Sequence, residues 1–450
     1  MLSHAFTKLI PLVRLRQRWG AVLLLAAIGC VGGRGRAGFA IDAFEEPPIS
    51  YSDTEPVNAV SKLQTRLMAG DEVWNFERST GYLPRLLESL EIPVSSQTLV
   101  FSKTSLQQRL ITPKNPRAIY FNDDVYVGYV RGGDVLEVSV ADPQLGTVFY
   151  TLDQDANQPP RFVRQTESCL LCHGGSQTKG VPGHIVRSVY AARSGQPIFS
   201  AGSYRVDDAT PLAERWGGWY VTGRHGDASH LGNVTYTHRP EPGEELDTTG
   251  LNQLGLRARF DAEGYLSADS DLVALTVLAH QASVHTQLAK VGIDVRTALH
   301  REAMLNRELG EPEGHRWPST ESIINSSAEA LVKVFLFEGA APLPAAISGT
   351  TSFADEFAAK GPWDAEGRTL RTLDLNTRLL RYPCSFLIYS KSFAALPEEL
   401  RQRFWEKMDR VLCGDGAEKA FSHLAATDRR AIREILAATT RDAPRHWAEP

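Results

Sequence analysis

The stretch RAIYFNDDVYVGYVRGGDVLEVSVADPQLGTVFYTLD, which runs from Arg117 to Asp153, decides the fold. It contains four runs in which aromatic and β-branched residues recur at every second position, and Asn, Asp, Gly and Pro separate these runs. Such alternation is typical of strands that bury one face, and the polar breaks are typical of turns. The stretch therefore predicts an antiparallel β-meander.

The rest of the chain predicts an α+β fold with helices mainly in its second half. Before the meander, PVNAVSKLQTRLMAG predicts a helix that ends at Gly70, and YLPRLLESL predicts a shorter one. After it come three more β-rich runs, HIVRSVYAA, PIFSAGSYRV and GGWYVTG. From about Asp269 the pattern becomes helical, and DSDLVALTVLAHQASVHTQLAKVG is so apolar on all sides that it should be a buried helix. We expect a β-rich region at 41–265 and a helical region at 266–450 packed on it, with one continuous domain as the alternative.

The first 40 residues have the features of an export signal. A basic start without acidic residues is followed by the uncharged segment Trp19–Gly33, and the small residues Gly38 and Ala40 suit cleavage after Ala40. Two alternatives are a monotopic anchor and a lipid anchor through Cys30, which ends the sequence AIGC. The sequence predicts a periplasmic or otherwise exported protein without a transmembrane segment in the mature chain.

The charge balance argues against nucleic acid as a partner. The chain has 48 basic and 53 acidic residues, a formal net charge of −5 at pH 7. Removal of an export signal that contains basic but no acidic residues makes the mature chain more acidic still. Because nucleic-acid affinity depends largely on phosphate contacts from basic residues, we expect no nucleic-acid partner.

The chemistry is concentrated in ESCLLCHGG, which contains Cys169, Cys172 and His173 in the pattern C-x-x-C-H. Two cysteines at this spacing can add to the two vinyl groups of one haem, and the adjacent histidine then serves as the proximal iron ligand. Together with an export signal, the motif predicts one covalently bound haem c. The alternatives are a zinc site, which needs two further ligands, and a redox dithiol, which favours a thioredoxin-like βαβ setting that the sequence lacks.

The position of the motif excludes the usual small cytochrome c architecture. In that all-α architecture the motif lies near the start of a chain of about a hundred residues. Here it lies mid-chain, in a Gly-rich loop after the predicted meander. We therefore expect an antiparallel β-rich half to carry the haem.

The motif and its flanks resemble a family of large exported bacterial proteins with a single C-x-x-C-H, described as cytochrome c domain-containing. The similar stretches span most of the mature chain: SSQTLVFSKTSLQ, PRAIYFNDDVYVGYV, DPQLGTVFYTLDQ, FVRQTESCLLCHGGS, VPGHIVRSV, RWGGWYVTG, HLGN, VALTVLAHQ, RYPCSFLIYS and LPEEL. The function of this family is not established, so the resemblance implies haem and export but no substrate. The family often has Met where this chain has Leu231, so a thioether ligand from that position is not available here.

Four histidines are candidates for the distal iron ligand, His184, His225, His230 and His280, and three of them are ranked. His230 ranks first because it lies in a polar loop, GRHGDASHLGN, whose glycines permit close approach to a flat cofactor. His184 and His280 are weaker candidates, and a buried His280 on a helix is more often a core residue. An open or water-ligated sixth position is the alternative to all four.

The leading functional prediction is electron transfer by an exported monohaem cytochrome. The alternatives are a haem enzyme that acts on a small oxidant such as peroxide and a haem-based sensor or binding module. The length of the chain favours the alternatives, because several hundred residues exceed the needs of a simple carrier. The sequence contains no readable set of acid, base and nucleophile, so catalytic residues remain unassigned.

Two further cysteines, Cys384 and Cys413, lie outside the motif. In an oxidising compartment such a pair can form a disulfide. The alternative is two buried free thiols, and parity alone does not separate the two.

Overall fold

The computed structural model describes residues 43–239, 241, 247–414 and 419–448. The described strands are β1 (Thr98–Val100), β2 (Arg117–Phe121), β3 (Val125–Val130), β4 (Val135–Asp142), β5 (Gly146–Asp153), β6 (Phe162–Gln165), β7 (Arg187–Val189), β8 (Ser203–Arg205) and β9 (Trp219–Tyr220). The described α-helices are α1 (Ala59–Ala69), α2 (Leu83–Ser89), α3 (Leu170–His173), α4 (Leu272–Leu309), α5 (Pro318–Phe335), α6 (Phe353–Ala358), α7 (Lys391–Ala394), α8 (Glu398–Cys413) and α9 (Ala426–Thr439). The predicted signal, its cleavage after Ala40 and the alternative anchor at Cys30 lie outside the described residues.

The predicted meander is the centre of a seven-stranded sheet with the order β6-β5-β4-β3-β2-β1-β9. Every neighbouring pair in it is antiparallel. The short strands β1 and β9 extend the sheet beyond β2, and β9 comes from a segment about 120 residues later in the sequence. The strands β7 and β8 form a separate antiparallel pair.

The two faces of the sheet have different neighbours. One face carries side chains such as Tyr120, Val127 and Val138, which join the buried side chains of α1 and α2 in one hydrophobic core. On the other face, Phe121 and Tyr126 join a second core with α4, α5, α8 and α9. The same face carries the ion pair of Arg117 and Glu137, and the C-x-x-C-H motif lies on it, where His173 packs against Phe149 of β5.

The helix α4 is the main support of that second face. Its N-cap is Asp271, whose carboxylate accepts hydrogen bonds from the backbone N–H groups of Val273 and Ala274, and it ends at Gly310 in the left-handed region, with φ of 69°. The expected buried helix is confirmed, and with 38 residues it is longer than the apolar stretch that predicted it. It packs against β5 and α5, and α5 packs against α8.

The predicted α+β class is confirmed, with an antiparallel sheet in the first half and helices in the second. The helix α1 ends as predicted at Gly70, which has φ of 76°. Residues from Ile41 onward form one compact unit.

Candidate functional site

The C-x-x-C-H motif forms a single helical turn, α3, that follows the edge strand β6. The backbone N–H groups of Cys172 and His173 both donate to the carbonyl oxygen of Cys169, at 3.2 and 2.9 Å. Residues three apart in a helix share a face, so the turn directs the two thiols to one side. Both thiols are free; Cys172 is exposed and Cys169 is half-buried. Burial, together with the nearby Glu137 carboxylate, raises the pKa of the Cys169 thiol.

The hydrogen bond of His173 leaves one ring nitrogen available. Its Nδ1 lies 2.9 Å from the carbonyl oxygen of Gly183. Because a carbonyl only accepts, Nδ1 carries the proton and Nε2 keeps its lone pair. Burial lowers the pKa of His173, so the ring is neutral near pH 7. A ligating histidine usually has this arrangement, in which the second nitrogen is held by a backbone carbonyl.

Two contacts hold the Gly183 carbonyl under the imidazole. The backbone N–H of Thr147, at the start of β5, donates to the carbonyl of Pro182 at 2.9 Å. A Cβ at Gly183 would lie 2.9 Å from the Cγ2 of Thr286 on α4, so only glycine lets the loop pass this close to the helix. The Phe149 ring of β5 packs against His173 with 4.9 Å between ring centroids. The sheet and α4 together therefore fix the orientation of the imidazole.

An ion pair on the same sheet face lies beside the motif. Arg117 of β2 pairs with Glu137 of β4, and both charges act on Cys169 and His173. The guanidinium covers Gly128, where a Cβ would lie 2.3 Å from Nη2. Among the described residues, the buried Nε of Arg117 has no hydrogen-bond partner. Arg117 was not among the site residues predicted from the sequence, although period-two alternation and the strand register place Arg117, Gly128 and Glu137 on one face.

The predicted distal candidate His184 lies close to His173, but on the Nδ1 side of the His173 ring. It follows Gly183, the residue that holds Nδ1, whereas a metal would bind at Nε2. Both nitrogens of His184 are also engaged: Nδ1 with the hydroxyl of Thr147 and Nε2 with that of Ser139, each at 3.1 Å. The structure therefore does not present His184 as a ligand opposite His173.

The second weaker candidate, His280, belongs to a buried hydrogen-bonded chain. Its Nδ1 lies 2.8 Å from an Asp208 carboxylate oxygen, and its Nε2 lies 2.9 Å from the Ser385 hydroxyl. This order resembles a hydrolytic triad, but Ser385 is fully buried and its oxygen also caps the turn that begins at Phe386. A substrate carbonyl has no access to that oxygen, so we interpret the hydrogen-bonded set Asp208–His280–Ser385 as structural.

The first-ranked candidate, His230, lies at the opposite edge of the sheet. Its loop is tied to β9, since the N–H of Asn233 donates to the carbonyl of Trp219 at 2.9 Å. Five strand spacings separate β9 from the β5 strand that carries Phe149, about 24 Å at the usual spacing. Two axial nitrogens on one iron are only about 4 Å apart, twice a metal–imidazole bond. The structure does not bring His230 and His173 together.

The tautomer of His230 also differs from that of His173. Its Nδ1 accepts a hydrogen bond from the N–H of Gly232 at 3.0 Å, so Nε2 carries the proton. That buried Nε2 has no partner among the described residues, and burial lowers the pKa of His230 to about 3. Leu231 is a buried core residue. The neutral ring therefore offers no lone pair at its free nitrogen.

The two cysteines outside the motif do not pair. Cys384 is fully buried and Cys413 is exposed at the end of α8, and both are free thiols. The predicted disulfide between Cys384 and Cys413 is therefore absent from this structure. The alternative of two buried free thiols is half right, because both thiols are free but only Cys384 is buried. Burial raises the pKa of the Cys384 thiol well above its usual range.

No known protein family, characterised protein or solved structure matches the chain. The resemblance of the motif and its flanks to exported C-x-x-C-H proteins therefore remains an expectation. No helix in the described part of the chain is long and apolar enough to cross a membrane.

Proposed function

We propose that the chain is an exported monohaem c-type cytochrome that transfers electrons. The observation that carries this proposal is the pair of free thiols beside a histidine whose Nδ1 is held by a backbone carbonyl. Cys169 and Cys172 would form the two thioether bonds, and the Nε2 of His173 would be the proximal ligand.

The residues present fit this cofactor. The thiols lie on one side of a single turn, and the imidazole is neutral with a free lone pair. A haem bound here supplies an iron centre that gains or loses one electron. Arg117, whose Nε has no partner, is a candidate donor to a propionate, because guanidinium groups bind carboxylates well.

The exposure of the motif supports electron transfer as its role. Leu171 is 85% exposed and Cys172 is exposed. A cofactor bound to these thiols would therefore have an edge accessible to a partner protein. A partner could reach that edge without rearrangement of the sheet or of α4.

A second candidate is a haem enzyme or sensor that binds a small molecule opposite His173. The positions and hydrogen bonds of His184, His230 and His280 favour it, because none of them offers a free lone pair next to the Nε2 of His173. The protein's three methionines in described segments do not change this: Met68 and Met304 are exposed, and Met408 is buried in the helical core.

Absorption spectra of the ferric and ferrous protein, with and without carbon monoxide, test both candidates. The carrier function predicts reversible one-electron reduction and a ferrous spectrum that carbon monoxide leaves unchanged. The second candidate predicts a high-spin ferric spectrum and rapid carbon monoxide binding. If the protein is expressed with its export signal and a cytochrome c maturation system and still shows no haem absorption, both candidates are wrong.

A further inference from the structure

A mainly apolar cavity lies against the helical half, away from the motif. It has a volume of about 500 Å³, within the range of small-molecule sites. Its walls come from α4 at Thr276, from the segment after α5 and from residues 377–383. Ten residues of α4 separate Thr276 from Thr286, which touches the loop below His173, or about 15 Å along the helix axis. The cavity is therefore distinct from the proposed haem site.

Most of the cavity wall is apolar. Phe337, Leu379 and Leu380 are buried core residues with side chains at the cavity, and the half-buried Leu343 lies beside them. The Phe337 ring is fixed by stacking on His280, with 4.6 Å between the ring centroids and 9° between their planes. A wall of this kind suits an alkyl or aromatic group.

Charged residues interrupt that apolar wall, and the one that is buried is Arg215; the others are Asp208, Glu338, Arg378 and Lys419. The Arg215 side chain lines the cavity, and the residue is only 6% exposed. Its Nε donates to the carbonyl of Thr210 at 2.7 Å, and its Nη2 donates to the carbonyls of Asp207 and Asp208 at 3.0 and 3.1 Å. These bonds fix the guanidinium, while its Nη1 has no acceptor among the described residues.

The carboxylates of Asp207 and Asp208 lie near enough to act on Arg215, but neither forms an ion pair with it among the described residues, and Asp207 pairs with Arg205 at 3.2 Å. The Asp208 carboxylate is engaged with His280 at 2.8 Å. Arg378, also at the cavity, is already neutralised by two hydrogen bonds to Asp428, at 2.8 and 2.9 Å. Arg215 is thus a fixed buried cation at an apolar cavity, without an ion-pair partner among the described residues, and a buried charge of this kind is costly unless an anion pairs with it.

We propose that this cavity binds a small monocarboxylate with an apolar body. The carboxylate accepts from the Nη1 of Arg215, and the apolar body lies against Phe337, Leu343 and Leu379. Among the described residues that line the cavity, Arg215 is the only buried cation, which suits one carboxylate better than a polyphosphate that recruits several cations. The site is independent of the haem, so it operates whether the iron carries electrons or binds a small molecule.

Calorimetric titration of the full mature protein with octanoate and with 1-octanol tests the proposal. The two probes share an alkyl chain and differ in the charged group that Arg215 would bind. We expect octanoate to bind at one site at least about tenfold more tightly than octanol, a ratio that corresponds to about 1.4 kcal/mol. Equal affinities, or no octanoate binding at millimolar concentration, would overturn the proposal.

Two matched variants locate the binding site without disturbing Arg215, whose three carbonyl contacts the fold needs. Leu343→Trp should fill the cavity and weaken octanoate binding at least about tenfold, the same 1.4 kcal/mol. Leu305→Trp makes the same change at an exposed position of α4 and should leave binding unchanged. If Leu343→Trp binds octanoate as the wild type does, the ligand lies elsewhere and the proposed site is wrong. Because the readout is heat of binding and not haem absorption, it fails or succeeds separately from the proposed cytochrome function.

Discussion

His173 and His230 lie at opposite edges of one sheet, and in both rings Nδ1 makes a hydrogen bond to the backbone. His173 donates from Nδ1 to the Gly183 carbonyl, whereas the Nδ1 of His230 accepts from the Gly232 N–H. The first bond leaves a lone pair on Nε2, and the second leaves a proton there. Whether an imidazole can bind a metal therefore depends on whether its backbone partner accepts or donates the hydrogen bond. Glycines in the surrounding loop are a weaker guide.

Removal of the thiols should have the largest effect. In a Cys169→Ser, Cys172→Ser protein we expect no covalent haem, because neither thioether can form. Haem staining after denaturing electrophoresis measures the attachment. The matched control is Cys413→Ser, which removes an exposed thiol outside the motif and should keep the stain. A stained double variant would mean that haem attaches elsewhere.

Substitution of the two compared histidines sharpens the contrast directly. His173→Ala should abolish proximal ligation and shift the ferric absorption bands, since it removes the free Nε2 lone pair. His230→Ala should leave those bands unchanged, because about 24 Å of sheet separates it from the motif. A change of spin state in His230→Ala would show that the two histidines share one iron after a rearrangement.

The buried imidazoles predict an acid-sensitive fold. Burial lowers the pKa of His230 to about 3 and that of His285 to about 4, below the unfolded value of about 6.5. Below pH 6.5 the unfolded chain therefore binds protons that the folded chain does not, so stability is full above that pH and is lost as pH falls toward 4. Each such histidine contributes a slope of up to about 1.4 kcal/mol per pH unit.

Denaturant unfolding between pH 7 and pH 5 measures that slope. His230→Gln should reduce the slope of the unfolding free energy against pH by up to about 1.4 kcal/mol per pH unit, because one proton fewer binds on unfolding. An unchanged slope in this variant would mean that His230 is not buried in its neutral form.

A smaller loss of stability is expected at His280, whose two ring nitrogens are both hydrogen-bonded. Ser385→Ala removes the partner of the His280 Nε2, and a lost buried hydrogen bond costs about 1 kcal/mol. The denaturation midpoint should fall accordingly while the haem spectrum stays unchanged. A spectral change would argue against a purely structural role for the Asp208–His280–Ser385 chain.

The sequence predicted those features that depend on local pattern. Period-two alternation identified the meander, apolar residues all round identified α4, and Gly70 marked the end of α1. The run GGWYVTG, predicted as β-rich, contains β9, but β1 and β9 have only three and two residues and pair across about 120 residues. Local reasoning therefore could not show that β9 and its loop form the sheet edge farthest from β6.

Contacts between residues distant in sequence also explain why the predicted distal ligands do not lie opposite His173. His230 was favoured because Gly226 and Gly232 allow close approach, but the N–H of Gly232 instead donates to its ring. Likewise, His280 and His184 are engaged by Asp208, Ser385, Ser139 and Thr147, all distant in sequence. Cys169, Cys172 and His173 could be predicted as a haem site from the sequence because that prediction depends on adjacent positions only, and it stays a prediction.

The central claim is that Cys169 and Cys172 hold one haem covalently with His173 as its proximal ligand. Acid–organic extraction followed by an alkaline pyridine haemochrome spectrum tests it on protein exported with cytochrome c maturation. We expect colour to stay with the polypeptide and the spectrum to be that of a haem with both vinyl groups saturated, at one haem per chain. Colour that passes into the solvent, or a spectrum with two intact vinyl groups, would contradict it.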